Sequence, residues 1–398
     1  EDYGASFTSA AAGGGVLLAL LAAAVVATCN ALSSAALAVR HPAAGGTYLY
    51  GRERLGDLPG YLAGWCFVVG KTASCAAMAM TAGAYLVPGQ ERLAAVAAVV
   101  VVTALNLSGV QRSARASTVI VSIVLAVLAG LVLAALVGAG GDGPGWSWRS
   151  LLEQRAAAGY DGVLQAAGLL FFAFAGYARV ATLAEEVREP ARVIPRAVVT
   201  ALGVVLIAYV AVGVTTLGTL GASATAASSA PVAEAAAVLW GGQWAWVVRL
   251  AAGLAALGAL LNLLLGISRT GLAMARGGHL PRALGVVAGP HAVPRVAELA
   301  VGCLVTVVVL LADLRGAIGF SSFGVLLYYA VTNASALTLR GDWRGAPWVP
   351  VLGGAGCLTL AASLPWASVA AGLAVVAIGL GWYRVRGRFG AGPGTGSA

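Results

Sequence analysis

The sequence predicts an all-α polytopic membrane protein, and three features of its composition support that class. Hydrophobic residues make up 60% of the 398 residues, and charged residues make up only 10%. Mean hydropathy is +0.90. A soluble domain typically has about 25% charged residues, so this chain lacks the polar groups needed to cover its surface in water. Soluble enzymes are therefore excluded, and so are disordered chains, which have low hydrophobicity.

Eleven apolar runs are long enough to cross a bilayer as helices, since a span takes about 20 residues. Each run is predicted to be helical because an open strand would leave backbone groups unpaired in lipid. The predicted spans are 16–39, 61–86, 93–110, 118–138, 163–184, 196–219, 244–267, 296–313, 317–339, 346–363 and 366–383. Residues 220–243 are predicted to form a long connection that ends in a tryptophan-rich membrane interface.

The sequence also predicts the domain organisation and the orientation in the membrane. Residues 1–389 are expected to form a single transmembrane domain, and the glycine-rich residues 390–398 are expected to be a disordered tail. Residues 4–15 are apolar but too short to span, so we interpret them as the second half of a truncated first span. Arginines divide unevenly between alternate connections, seventeen on one side and five on the other. The positive-inside rule then predicts a multi-pass protein of the cytoplasmic membrane with a cytoplasmic C-terminus.

Charge and cysteine content exclude several kinds of partner. The net charge is +9, but the basic residues are scattered between apolar runs, so no nucleic-acid partner is expected. The five cysteines lie in apolar runs and no pair forms CxxC, which predicts free, buried thiols. The three histidines fall in short polar connections away from carboxylate clusters. We therefore expect no metal site and no cofactor.

Three stretches stand out because polar residues interrupt apolar runs. Residues 42–50 read P-x-x-G-G-x-Y-x-Y, residues 171–197 read FFAFAGYARVATLAEEVREPARVIPRA, and residues 268–281 read SRTGLAMARGGHLP. Together with Asn106 near the end of a span, these stretches resemble the amino acid–polyamine–organocation superfamily of permeases. The first two patterns are specific in combination, whereas either pattern by itself would be weak evidence.

The resemblance, which runs from about residue 16 to residue 340, implies an inverted-repeat, LeuT-like transporter fold. In that fold, spans 1–5 and 6–10 form two repeats of opposite topology, and two extra C-terminal helices come after them here. The resemblance also implies secondary active transport of amino acids across the cytoplasmic membrane by alternating access. The implied partners are a small-molecule amino acid substrate and the lipid bilayer, and no enzyme activity is expected. The alternative is a truncated or non-transporting membrane protein of the same fold.

Two features that the sequence lacks argue against sodium and against ATP as the energy source of transport. A sodium site in this family uses hydroxyl groups on the eighth span, which is 244–267 here when the truncated first span is counted, and residues 250–267 contain no serine or threonine. The chain also has no GxxxxGK[ST] motif, which an ATP-driven pump would need. Proton coupling or exchange is therefore the expectation.

Gly176 lies inside the predicted span 163–184, where it weakens a helix by about 1 kcal/mol. A helix interrupted near the membrane midplane exposes backbone groups that bind the charged ends of a zwitterion. The alternative is that Gly176 only allows two helices to pack closely. By resemblance, Phe172 is an aromatic gate over the substrate. The resemblance also implies that the unwound, substrate-binding segment consists of Ala173, Phe174, Ala175, Gly176 and Tyr177.

Lys71 is the only lysine of the chain and lies deep in the apolar run 60–86. At 1.5 Å per residue it lies roughly 16 Å from one end of that run and roughly 22 Å from the other, too deep to reach the membrane surface. Lys71, Cys75 and Met78 share one helix face, which by resemblance lines the substrate cavity. We interpret Lys71 as the coupling residue, a fixed or titrating positive charge beside that cavity. The alternative is a lysine that pairs with a backbone carbonyl or a carboxylate for packing.

The charged segment that follows the predicted span 163–184 is interpreted as part of a cytoplasmic gate. Glu185 or Glu186 is expected to pair with Arg269 when the inside is closed, and the alternative is a solvated loop. Asn262 lies in mid-span, either as a substrate ligand or as a hydrogen-bonding residue between helices. Glu298 lies near the end of a span, where a charge is tolerated, and no function is assigned to it.

Overall fold

The computed structural model describes residues 15–41, 45–108, 114–138, 146–147, 160–177, 190–287, 293–339 and 346–389. These residues form thirteen α-helices, numbered in chain order. The first seven are α1 (Val16–Arg40), α2 (Thr47–Leu55), α3 (Asp57–Leu86), α4 (Glu91–Leu107), α5 (Ala114–Gly138), α6 (Tyr160–Phe174) and α7 (Pro190–Ala227). The remaining six are α8 (Pro231–Trp240), α9 (Ala245–Arg276), α10 (Arg295–Leu311), α11 (Leu314–Leu337), α12 (Trp348–Ser363) and α13 (Trp366–Phe389).

All eleven predicted spans overlap helices of this structure. By length and composition, seven helical segments of the described chain can cross a membrane, and they belong to α1, α3, α5, α7, α9, α11 and α13. Large apolar side chains on the outside of the molecule are exposed, including Val137 and Leu311 at 82% each. An apolar surface of this extent suits contact with lipid. The predicted partial first span and the predicted tail lie outside the described residues.

The connection predicted over 220–243 is largely helical instead. Helix α7 continues to Ala227, and α8 occupies most of the remaining segment. Gly221 interrupts α7 with a φ of 78°, a conformation that glycine adopts without steric cost, so the chain turns there and then resumes a helix. Pro231 is the first residue of α8, a position where its missing N–H is no loss.

Two buried clusters organise the interior. One consists mainly of residues from α1, α6, α11 and α12, and the other mainly of residues from α3, α4, α9 and α10. Helix α3 links them, because it packs against both α9 and α11. The crossing of α3 and α11 is close: a Cβ atom on Gly324 would lie 2.9 Å from the carbonyl oxygen of Cys66. We call the α3–α4–α9–α10 group the scaffold cluster.

The cysteines are free thiols, and four of the five are buried. Cys303 on α10 is exposed, so the prediction of burial was wrong for this residue. Val301 and Val305 of the same helix are buried in the scaffold cluster. Cys303 lies between them in sequence and therefore on the opposite face of α10.

Candidate functional site

Helix α6 ends inside a predicted span. The α-helix stops at Phe174, and one turn of 3₁₀-helix comes next. The last carbonyl groups of an α-helix have no partner within the helix. Here Tyr209 Oη on α7 donates to Ala173 O at 2.9 Å. Lys71 Nζ on α3 donates to Ala175 O, also at 2.9 Å, so the interrupted end of α6 is bound from two sides.

Lys71 is buried, with 4% of its surface exposed. Among the described residues, the ion pairs do not include Lys71. Its charge is instead stabilised by the C-terminal end of α6, which carries a partial negative charge of about half an electron. A bond to a backbone carbonyl is the contact that the packing alternative predicts. Its partner, however, is the interrupted helix end, so the contact is compatible with both interpretations of Lys71.

The surroundings of Gly176 bear on the packing interpretation of that residue. Gly176 is exposed, and a Cβ atom placed there would meet nothing within 4 Å among the described residues. Close helix packing therefore does not account for this glycine within the described part of the chain. Within the described residues, the space beside the backbone at Gly176 is open.

The other predicted binding residues lie around this helix end at different depths. Phe174 is buried, and its ring packs edge-on against Tyr209, with 5.3 Å between the ring centroids. Phe172 is half-buried and packs against the scaffold cluster. Cys75 is fully buried in that cluster, and Met78 packs half-buried against it. Lys71 is thus brought to the end of α6, whereas Cys75 lies in the core and Met78 packs against it.

The predicted gate residues are only partly within the described chain. Glu185 and Glu186 lie outside the described residues, so their pairing with Arg269 stays a prediction. Arg269 is exposed on α9 and lies within electrostatic range of Glu298. Asn262 is half-buried on the same helix.

The environment of Glu298 differs from the one that its position in the sequence predicts. The sequence places it near the end of a span where a charge is tolerated, but its side chain is 0% exposed. Oε1 accepts a hydrogen bond from Ser268 Oγ at 2.7 Å, and Oε2 accepts one from Asn106 Nδ2 at 3.4 Å. Helix α10 begins only three residues earlier, at Arg295, but its rotation points Glu298 toward α9 and α4. Burial here depends on helix rotation, which position along an apolar run does not reveal.

A second polar cluster, which the sequence analysis missed, lies where α3 begins. Asp57 Oδ2 accepts hydrogen bonds from His279 Nε2 at 3.1 Å and from Tyr383 Oη at 2.9 Å. Arg386 Nη2 donates to the same oxygen at 3.0 Å, and Arg52 Nε donates to Oδ1 at 3.0 Å. His279 is 1% exposed. It belongs to the third sequence motif, residues 268–281, and that motif was the feature of the sequence that could have predicted this cluster. The cluster joins α2, α3, α13 and the connection after α9.

Comparison with known proteins decides the family. The match to a family model described as amino acid permease covers residues 3–390. The chain belongs to the amino acid permease family. This confirms the resemblance to the amino acid–polyamine–organocation permeases that the three motifs indicate.

Individual relatives are transporters as well. An uncharacterized transporter of Mycobacterium tuberculosis is 56% identical over 364 residues, which cover 91% of this chain and 81% of that protein. A branched-chain amino acid permease of Bacillus subtilis is 27% identical over 89% of this chain and 81% of its own. The vacuolar cationic amino acid transporter 2 of Arabidopsis thaliana is 28% identical over 78% of this chain and 52% of its own.

Family membership confirms the predicted classes of fold and function. The protein is an all-α, multi-pass membrane protein with the inverted-repeat transporter fold of its family. It is a permease that transports amino acids, and it is not an enzyme.

Proposed function

We propose that this permease is a secondary active transporter of small neutral amino acids in the cytoplasmic membrane, driven by proton coupling or exchange. Transport proceeds by alternating access around a site at the interrupted end of α6. The observation that carries the proposal is the hydrogen bond from Lys71 Nζ to Ala175 O, at 2.9 Å. It sets a buried positive charge beside the backbone that this fold uses for substrate.

The geometry of the helix end supports binding of a zwitterion. Carbonyl groups at the C-terminal end of a helix attract ammonium groups. Lys71 already binds Ala175 O, and Tyr209 binds Ala173 O. The exposed backbone at Gly176 leaves an approach for the substrate's own ammonium group.

The charge of Lys71 favours neutral over cationic substrates. A second positive charge on the substrate side chain would be repelled by the buried ammonium, and repulsion is strong where the dielectric constant is low. The names of the relatives point both ways, one to branched-chain and one to cationic amino acids. Lys71 is therefore the feature that selects between them.

Lys71 also supports coupling. As a fixed charge, it takes the place of a bound coupling cation beside the substrate. As a titrating group, it releases one proton to water, and the neutral amine then binds Ala175 O more weakly. In the titrating role, the availability of that carbonyl oxygen depends on the charge state of Lys71.

The orientation is derived from the arginine distribution, seventeen against five between alternate connections. The richer side, with the C-terminus, faces the cytoplasm. The Asp57 cluster, which contains Arg52 and Arg386, then lies at the cytoplasmic end of α3. Glu185 or Glu186 closing on Arg269 completes the inner gate of this scheme.

Uptake by the purified protein in liposomes tests the proposal. Labelled alanine, leucine, lysine and arginine are supplied separately, with and without a pH gradient. We expect uptake of the neutral amino acids that increases with the gradient, and little uptake of the cationic ones. Strong arginine or lysine uptake without any neutral uptake would overturn the substrate assignment. Uptake that needs sodium would overturn the coupling assignment.

A further inference from the structure

Glu298 is a buried carboxyl group that the proposed transport scheme does not use. It is 0% exposed, and its hydrogen-bond donors, Ser268 and Asn106, are both uncharged. Within the described residues, no basic group forms an ion pair with it. A buried carboxylate without a paired cation is unfavourable, so a protonated form is accessible to it.

Ser268 can serve both protonation states of Glu298. Its Oγ lies 2.7 Å from Glu298 Oε1 and 3.1 Å from Leu265 O, while a hydroxyl has only one proton to donate. With Glu298 ionised, Ser268 donates to Oε1. With Oε1 protonated, Glu298 donates to Ser268 Oγ, and Ser268 donates to Leu265 O. Every hydrogen-bonding group of this pair has a partner in either state.

Asn106 can likewise form a hydrogen bond with the second carboxyl oxygen of Glu298 whether that oxygen is protonated or not. A side-chain amide presents a donor, Nδ2, or an acceptor, Oδ1, depending on how it is turned. Nδ2 faces Glu298 Oε2 at 3.4 Å, and Oδ1 is buried without a partner among the described residues. Thr103 Oγ1, one turn away on α4, is also buried without a partner there. Asn106 Oδ1 is thus a buried polar atom of a residue that contacts Glu298, and it needs an explanation beyond the hydrogen bonds of the described residues.

The charged and titratable groups around Glu298 are few in the described chain. From α9, Arg269 lies within electrostatic range and is exposed, and from α3, Cys75 lies within electrostatic range. The 282–285 turn packs on α10 and contains the exposed Arg282, and α10 itself carries Arg295. Helix α4 faces Glu298 with the uncharged Asn106. Cys75 also lies close enough to Lys71 to interact with it electrostatically, so this thiol has both Glu298 and Lys71 among its charged and titratable neighbours.

We propose that Glu298, with Ser268 and Asn106, is a proton-binding site that takes up and releases the coupling proton of transport. This rests on the proposed function, in which a proton gradient drives amino acid uptake, and it takes Lys71 in its role as a fixed charge. One proton from water adds to a carboxylate oxygen of Glu298, no other bond breaks, and the same proton leaves on the return step. Arg269, the residue that follows Ser268 on α9, is exposed.

The test separates coupling from substrate movement in liposomes that hold the full chain. Glu298→Gln fixes a neutral side chain of the same shape, and Glu234→Gln, at an exposed carboxylate of α8, is the matched control. With a one-unit pH gradient and one proton per substrate, wild type and control accumulate a neutral amino acid by about tenfold. We expect Glu298→Gln to lose this accumulation and to keep amino acid exchange without a gradient. Ser268→Ala should shift the pH dependence of uptake, because both protonation states lose their partner and the ionised carboxylate loses the stronger hydrogen bond.

Several outcomes would overturn the site. The first is that Glu298→Gln accumulates the amino acid as strongly as wild type. The second is that sodium drives accumulation in wild type and that Glu298→Gln abolishes it. The third is that Glu298→Gln loses amino acid exchange although its unfolding temperature equals that of wild type. Infrared difference spectra between acid and neutral pH give an independent measure. A protonated-carboxyl band that is present in wild type and absent in Glu298→Gln supports the site even if no amino acid is transported. Failure of the proposed function and failure of this site are thereby distinguished.

Discussion

His279 Nε2 lies 3.1 Å from Asp57 Oδ2, so the connection after α9 is bound to the first residue of α3. A carboxylate only accepts hydrogen bonds, so Nε2 carries the ring proton, and Nδ1 accepts from Tyr48 Oη at 2.7 Å. Tyr48 Oη in turn accepts from Arg52 Nη1 at 3.3 Å, and Arg52 Nε donates to Asp57. The four side chains close a ring of hydrogen bonds, to which Arg386 attaches α13.

Asp57→Asn is expected to destabilise the protein, because an amide replaces the charged acceptor shared by the ring and α13. Hydrogen bonds to charged groups contribute about 1.5–3 kcal/mol each. Since 44% of the Asp57 side chain is exposed, we expect a loss near the lower end of that range. Tyr383→Phe, which removes one donor and keeps the charge, should cost less. Chemical unfolding in detergent measures both, and an unchanged unfolding free energy in Asp57→Asn would show that the ring is not stabilising.

Stability is expected to fall in mild acid because of His279. Burial lowers the pKa of His279 below its ordinary value, and the hydrogen bond with Asp57 offsets this only in part. The unfolded chain therefore binds a proton at this residue that the folded chain resists. The contribution is fully present above the unfolded pKa of about 6.5, and it is lost as the pH falls toward the lowered pKa of the folded state.

Unfolding temperatures between about pH 5 and pH 8 test this contribution. His279→Gln keeps a donor for Asp57 but cannot titrate, so its unfolding temperature should depend less on pH than that of wild type. His41→Gln is the control, since His41 pairs with Glu53 elsewhere. Equal pH dependence in wild type and His279→Gln would assign the acid sensitivity to other groups.

Gly176 and Gly324 should respond in opposite ways to alanine. A Cβ atom at Gly176 meets nothing within 4 Å among the described residues, whereas one at Gly324 would lie 2.9 Å from Cys66 O. Gly176→Ala should therefore keep the unfolding free energy within about 1 kcal/mol and lower uptake, because it favours helix at the interruption. Gly324→Ala should lower stability as α3 and α11 separate. Reduced stability in Gly176→Ala with uptake per folded molecule unchanged would make this glycine a packing residue.

Hydropathy predicted the spans because lipid leaves few choices for a long apolar run. It did not predict α8, because this helix has only ten residues, too few to span a bilayer, and lies between Gly221 and Gly241. The depth of Lys71 could be predicted from its position in the run. Its partner could not, because Ala175 O is a backbone atom of a helix 104 residues away.

Glu298 and Asp57 show the same limit for polar residues. Glu298 lies within one turn of a helix start, where the sequence predicts contact with water, and Asp57 is the first residue of α3. Glu298 is instead enclosed by α9 and α4, and Asp57 binds a histidine 222 residues away. Which face of a helix is buried depends on packing against distant segments, and a single sequence with broad apolar runs does not encode it locally.

The role of Lys71 is the central claim, and variants of this residue in liposomes test it most directly. Lys71→Met removes the charge, Lys71→Arg keeps it with a different shape, and Met80→Leu is a volume-conserving control on the same helix. A lost hydrogen bond from a charged donor is worth about 1.5–3 kcal/mol, or roughly 10- to 150-fold in uptake.

The measurement is the rate of neutral and of cationic amino acid uptake as a function of pH. We expect Lys71→Met to lose most neutral uptake and its pH dependence, Lys71→Arg to shift the pH dependence, and Met80→Leu to match wild type. Folded Lys71→Met and Lys71→Arg proteins that both keep the wild-type rate, selectivity and pH dependence would contradict the proposed role of Lys71.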